Sequence, residues 1–288
     1  MNPKTKNLLV RTVVGAVYVA LMIAGVFIFP LMAVLLCLVA CLGIVESSRL
    51  VSGPVDRLSP VLLSATAVAQ FAVVLGYGLR KSTFFYNAEV NTLIMFCVVA
   101  LLALVGLVLI LSIAELFRHR PAPMEHLGSV FFMYVWIVLP LGFMAVMTRI
   151  CPPVVFAFLL MIWAYDTFAY LGGSLYGRNK MCEHISPKKT WEGTVTGLIM
   201  TVVMAIILPS IPYFGHLHVA LWKWVLLAII VVVSGTAGDL LESLFKRRAG
   251  VKDSGSVMPG HGGILDRFDS VFMAAIPALL YALLVMLM

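Results

Sequence analysis

Charge is scarce in this chain: 11% of its 288 residues are charged and 62% are hydrophobic. That balance excludes an ordinary soluble domain and places most of the chain in lipid. Cysteine is also sparse, five in all, with no C-x-x-C pair. A disulfide framework and a paired zinc site are therefore excluded. Cys37 and Cys41 share one helix, Cys97 and Cys151 stand apart, and Cys182 with His184 forms only a two-ligand fragment. Internal repeats and low-complexity tracts are missing. So are mid-membrane acids, which argues against a secondary transporter with its inverted repeats and buried ion path.

What the chain does contain is long apolar runs. Nine are read as spans, at roughly 8–29, 31–51, 60–79, 91–115, 127–148, 153–175, 191–212, 219–245 and 268–288. Each has the roughly 20-residue length of a spanning helix, whereas a barrel strand needs about 10 alternating residues. Pro30, Pro60, Pro152 and Pro153 fall between runs, where a missing N–H costs least. The first run lacks a small-residue cleavage site before Pro30 and is read as a retained span rather than a signal peptide. The expected fold is all-α: a polytopic integral membrane protein of about nine helices.

Orientation follows from the basic residues. With a cytoplasmic N-terminus, 16 of the 20 Lys and Arg lie inside, leaving Arg80, Lys81, Arg149 and Lys223 outside. Nine spans then put the C-terminus outside. Twelve of the thirteen acids face or approach the cytoplasm, Glu89 being the exception. Such a distribution favours chemistry at the inner interface. The net charge of +7 suits anionic lipid and nucleotide phosphate better than nucleic acid.

Residues 1–150 read as a transmembrane scaffold of about five spans, and 151–288 as a catalytic region of about four spans with cytoplasmic loops. In the scaffold, Glu46 beside Arg49 and Glu115 beside Arg118 are expected to form local ion pairs at helix ends. The basic, Pro-rich stretch RHRPAPMEH (118–126) is expected to snorkel along the lipid surface.

Residues 234–270 hold five of the thirteen acids and five of the twenty basic residues. Charge of that density at a helix end requires water, metal or a charged ligand. On a continuous helix Asp239, Glu242, Ser243 and Lys246 fall at i, i+3, i+4 and i+7 and share a face. The following stretch is glycine-rich, and Gly260, Gly262 and Gly263 leave backbone N–H groups able to approach an anion. Asp266 and Asp269 occupy the first turn of the last span, at the positive end of its dipole. Carboxylates able to converge from two helices suit a hard cation such as Mg²⁺. Lys246, Arg247, Lys252, Arg267 and His261 surround them as phosphate ligands. Upstream, Asp166 lies on a helix ending at Gly172-Gly173. Ser186 and Thr190 can cap the helix after it, with Glu192 in its first turn and Lys188 and Lys189 poised to grip phosphate just before it.

SLFKRRAGVKDSGSVMPGHGGILDRFD (243–269) resembles the signature of phosphatidate cytidylyltransferases, also called CDP-diacylglycerol synthases. The match runs through Ser243, Lys246-Arg247, Lys252-Asp253, Pro259, His261-Gly262-Gly263 and Asp266-Arg267 to Asp269. GDLLES (238–243), DTFAYLGGSLYG (166–177) and SPKKTWEG (186–193) are similar to the same family. The resemblance implies the reaction of CTP with phosphatidate to give CDP-diacylglycerol and pyrophosphate, dependent on Mg²⁺. It matches Asp239, Asp266 and Asp269 to the acids of a two-cation centre, the second ion being of a type such as K⁺. It also implies a homodimer in the bilayer. Catalytic roles fall to Asp239, Asp266, Asp269, Lys246 and Arg267. Substrate binding falls to Ser186, Lys188, Lys189, Ser243, Arg247, Lys252, His261, Gly262, Gly263 and Asp166. The expected location is a bacterial-type cytoplasmic membrane, with the site facing the cytoplasm. A CTP-dependent lipid kinase and, outside enzymes, a secondary transporter are the alternatives. A CDP-alcohol phosphotransferase would need a DGxxAR-type run, which is absent.

Overall fold

A chain segment inside lipid must satisfy its own backbone hydrogen bonds, and each apolar run does so as a helix. The computed structural model describes residues 3–51, 58–80, 88–118, 122–257 and 262–286. Among the described residues eight helices are long and apolar enough to cross a membrane, from Phe29–Leu50 to Leu265–Met286. Their bounds follow the expected runs within a few residues. The first run is also a helix, α1 (Pro3–Phe27), which includes the apolar stretch Thr12–Phe27. The protein is an all-α polytopic membrane protein, with one small hairpin among the described residues. It folds as two compact units: Met1–Ile150 with Asp253–Arg267, and Cys151–Lys252 with Phe268–Met288. The polar stretch 253–267 thus packs with the scaffold helices.

In the first unit α2 (Phe29–Val51), α3 (Leu58–Gly78) and α4 (Ala88–Arg118) surround a fifth span made of α5 (Pro123–Met133) and α6 (Leu139–Ile150). The fifth span is the core: 78% of its apolar window is buried, against 17% for that of α4, whose Leu101, Leu102 and Leu109 face outward. Between α5 and α6 the helix widens into a π turn, Tyr134–Val138, closed by Leu139 N–H on the Tyr134 carbonyl. Pro140 follows and cannot donate to the carbonyl four residues back, so the wider turn absorbs the break. The turn aims the Tyr134 hydroxyl at Gln70 Oε1 and the Ala100 carbonyl, each 2.9 Å away. At one end of the unit Arg149 ties three helix ends together, donating from Nε to the Gly78 carbonyl (2.9 Å) and pairing with Glu89 (3.1 Å).

Glu115 departs from the expected local pairing. Arg118 is 3.8 Å away, but His126 Nδ1 is nearer at 3.0 Å, and its Nε2 is 2.9 Å from Ser59 Oγ. Of the stretch expected to lie along the lipid surface, residues 123–126 form the first turn of α5, with Met124 exposed but His126 buried, and residues 119–121 lie outside the described residues. This Ser–His–Glu chain has the spacing of a catalytic triad, yet all three residues are buried, so it acts as a polar clamp on α3, α4 and α5. Removing His126 leaves the buried Glu115 carboxylate without its nearest partner. His126→Ala is expected to destabilise the protein by about 3 kcal/mol, read as an earlier midpoint in SDS unfolding. An unchanged midpoint would show that the clamp carries no stability.

In the second unit α7 (Pro152–Tyr176) packs along α8 (Trp191–Ile207). Gly193 and Gly197 form a G-x-x-x-G face on α8. A Cβ there would meet the Ala169 carbonyl at 2.6 Å and the Tyr165 ring at 2.7 Å, so only glycine permits this approach. An antiparallel hairpin, β1 (Lys180–Cys182) and β2 (Ser186–Thr190), joins the two helices, pairing Lys180 with Thr190 and Cys182 with Ser186. Thr190 caps α8 by accepting from Gly193 N–H (3.2 Å), as expected. Ser186 does not cap; it lies in β2. Glu192 lies in the first turn of α8, as expected, and its carboxylate accepts from the Arg178 and Asn179 amides at 3.1–3.2 Å. The short α9 (Pro212–Gly215) leads to α10 (Leu221–Arg248) and, in this unit, the body of α11 (Leu265–Tyr281). Tyr281 Oη donates to the Lys223 carbonyl (3.1 Å), which joins the start of α10 to the end of α11.

Candidate functional site

Two polar constellations stand out, one in each unit. In the second unit the site is built on α10. Its helix continues beyond the apolar run, as the i, i+3, i+4, i+7 pattern requires, and puts Asp239, Glu242, Ser243 and Lys246 together. Ser243 Oγ donates to Asp239 Oδ1 at 3.4 Å, and Lys246 Nζ pairs with the buried Glu242 at 2.5 Å. From β2, Lys189 Nζ reaches Asp239 Oδ2 at 2.8 Å and the Thr236 carbonyl at 3.3 Å. Thr236 Oγ1 in turn lies 2.5 Å from Tyr165 Oη, next in sequence to Asp166 on α7.

Asp269 enters from α11, where a close helix crossing brings it in. A Cβ on Gly238 would collide with the Asp269 carbonyl oxygen and lie 2.9 Å from Met273 Cβ. Because position 238 is glycine, the backbones carrying Asp239 and Asp269 can approach. Asp239, Asp166 and Glu242 all lie within electrostatic reach of Asp269. Four acids on three helices thus share one polar region of an apolar chain, with Lys189 and Lys246 bonded to two of them.

The second constellation lies in the first unit, around residues 254–266. Glu46, near the end of α2, is 1% exposed and does not make the expected local pair with Arg49 as its main contact. Its carboxylate accepts from Ser254 Oγ (2.9 Å), Ile264 N–H (3.0 Å) and Leu265 N–H (3.0 Å). Asp266 Oδ2 accepts from Ser254 N–H (3.0 Å), Ser254 Oγ (3.0 Å) and Gly263 N–H (2.8 Å). The glycine-rich turn expected to offer open amides to an anion is thus satisfied at residues 263–265 by the protein's own carboxylates. Gly262 turns the chain with φ +83°, a conformation that favours glycine.

Among the remaining expected residues, Lys188, Lys252 and Arg267 are exposed, and Asp166 is exposed on α7. Arg247 Nε donates to the Ile185 carbonyl (3.1 Å), which links α10 to the hairpin. His261 lies outside the described residues. Cys182 Sγ is 3.8–3.9 Å from the His184 ring nitrogens, an exposed contact and no more.

A family model described as Cytidylyltransferase family matches residues 9–286, nearly the whole chain. The chain belongs to the cytidylyltransferase family. Among curated relatives, phosphatidate cytidylyltransferases of Staphylococcus saprophyticus, Staphylococcus haemolyticus and Staphylococcus aureus are 48%, 47% and 44% identical over 126 residues. Each match covers 44% of this chain and 46% of the relative, so the chain spans about half the length of the curated relatives it matches.

For a member of this family, the polar centre of the second unit can be tested against a divalent metal. Its donors are carboxylate oxygens, the ligand type of Mg²⁺. Among the described residues no three His, Cys, Asp or Glu side chains gather into a ready-made cage. Mg²⁺ does not need one, since it keeps several waters and is held by one or two carboxylates together with substrate phosphates. Asp239, half-exposed and already bonded to one cation, and Asp269 beside it therefore fit.

Sequence reasoning did not foresee Glu46, or that Lys189 would lie on Asp239. Both contacts join residues far apart in sequence, 208 positions for Glu46 and Ser254, with no local pattern to announce them. The close crossing at Gly238 had a signal, the S-G-T-A-G run of small residues at 234–238.

Proposed function

We propose that this protein transfers the cytidylyl group of CTP to phosphatidate, forming CDP-diacylglycerol and releasing pyrophosphate. The observation that carries the reading is the carboxylate cluster on α10 and α11 with Lys189 bonded to Asp239, found in a chain of the cytidylyltransferase family. Acids able to hold a metal, set beside lysines able to hold phosphate, are what nucleotidyl transfer requires.

A phosphate monoester has a second pKa near about 6 and is mostly dianionic at neutral pH. A phosphatidate oxygen can thus attack the α-phosphorus of CTP without a general base. The new P–O bond forms as the bond to the β-phosphate oxygen breaks, and pyrophosphate leaves. Bound Mg²⁺ would supply charge neutralisation for the triphosphate and the leaving group. Asp239 and Asp269 would hold it, with Asp266 one turn earlier on α11. Lys189, now on Asp239, and the exposed Lys188 would meet phosphate oxygens. Lys246, fixed by Glu242, and Arg247, Lys252 and Arg267 would add positive charge around the lipid phosphate and the triphosphate. Catalysis then rests on alignment and charge neutralisation. The positive-inside balance supports a cytoplasmic membrane with this site on the cytoplasmic face. A homodimer and a second cation such as K⁺ belong to the same proposal.

The test is purified protein with phosphatidate, Mg²⁺ and CTP labelled at the α- or the γ-phosphate. Transfer predicts α-label in the lipid and γ-label in pyrophosphate. Label from the γ-position in the lipid would make the enzyme a kinase instead. Folded protein that gives no labelled lipid would overturn the reading.

A further inference from the structure

We propose that Glu46, a residue of the scaffold helices, is a positioning residue for this reaction, fixing the start of α11 and hence the carboxylates that α11 carries. Three observations converge on it. Glu46 is 1% exposed, and both of its carboxylate oxygens are engaged: Oε1 accepts from Ile264 N–H, and Oε2 from Leu265 N–H and Ser254 Oγ. The first amides of a helix have no partner within it, so a buried carboxylate there replaces water and meets the positive end of the dipole. The surrounding chain is also shaped to admit this side chain: a Cβ on either Gly255 or Gly263 would collide with the Glu46 carboxylate. Finally, Ser254 joins Glu46 to Asp266, its hydroxyl lying 2.9 Å from one carboxylate and 3.0 Å from the other. Glu46 therefore binds both Ser254 and the amides of Ile264 and Leu265, and sets where α11 begins. Asp266 is in that first turn and Asp269 in the next.

The charge matters as well as the shape. Glutamine has the same length but only one acceptor oxygen, so its NH₂ would face an amide donor. Aspartate keeps the charge and both acceptors but is one methylene short. The tether stands on the geometry alone; its effect on rate rests on the transferase reading above.

Limited trypsinolysis of the intact, detergent-solubilised protein reads the loop directly, because the exposed Lys252 lies just before it. In Glu46→Gln, cleavage after Lys252 should accelerate about 10-fold as local opening becomes easier, while cleavage at Lys180 in the hairpin keeps its rate. Mn²⁺ binding, followed by its electron-spin signal, should weaken in the same variant. Turnover per folded molecule should fall about 30-fold at saturating CTP, with the KM for phosphatidate unchanged, since misplacement acts on the transition state. Glu46→Asp should recover part of each loss. If Glu46→Gln does not fold, Ser254→Ala, which removes the one hydroxyl proton that the two carboxylates share, should shift cleavage and Mn²⁺ binding in the same direction by about 3-fold. Unchanged cleavage after Lys252 would overturn the tether. Faster cleavage with unchanged kcat and Mn²⁺ affinity would overturn the positioning role and leave only a structural one. If wild-type protein makes no CDP-lipid, the transferase reading fails, and the cleavage and Mn²⁺ measurements decide the tether by themselves.

Discussion

Asp239→Asn is expected to lower kcat by about 10³-fold, the scale set by removing one preorganised charge-stabilising group from a buried site. Asparagine keeps the volume of aspartate and one acceptor oxygen, enough to keep the bond from Ser243, and the site is partly exposed, so the fold should persist. What disappears is the negative charge that Lys189 contacts at 2.8 Å and that a divalent cation would need. The loss should remain at saturating Mg²⁺, and Mn²⁺ affinity should fall with it. Turnover within a few-fold of wild type, with intact Mg²⁺ dependence, would remove Asp239 from the chemistry and with it the metal-holding role of this face of α10.

The second large effect is expected at Gly238, which touches no substrate in this scheme. Any Cβ there strikes the Asp269 carbonyl, a backbone atom that can move only if α10 and α11 separate. Gly238→Val should therefore shift Asp269 relative to Asp239 by something like an ångström, enough to cost about 10²-fold in rate. Gly235→Ala is the matched control. Its Cβ would meet Ser270 Cβ at 3.5 Å, an ordinary contact, and its activity should stay near that of wild type. If Gly238→Val and Gly235→Ala behave alike, the close crossing is not what aligns the two aspartates.

The site was legible in part, and the division follows the range of the interactions. Asp239, Glu242, Ser243 and Lys246 could be read as one face because helical spacing is a local property, and the structure puts Ser243 on Asp239 and Lys246 on Glu242. Thr190 could be read as a cap for the same reason. The failures involve partners that local spacing does not bring together. Glu115 was paired by proximity in sequence with Arg118, but His126 from the next helix lies closer. The amides near Gly263 looked open to a phosphate because the carboxylate that fills them comes largely from α2, more than 200 positions away. Ser186 looked like a cap because nothing local announces the hairpin that holds it.

By itself, then, the amino-acid sequence determined that the chain is built of long apolar helices, the limits of those helices to within a few residues, and the residue types available for phosphate and metal chemistry. Each depends on the free energy of a short segment in lipid or water, which composition and spacing are enough to set. Only the tertiary structure decided which acid meets which cation: Lys189 on Asp239, Glu242 on Lys246, and Glu46 on the first amides of α11. A buried charge is stable only beside a specific partner, and that partner is chosen by how helices pack, through contacts such as the one Gly238 permits, rather than by nearness along the chain.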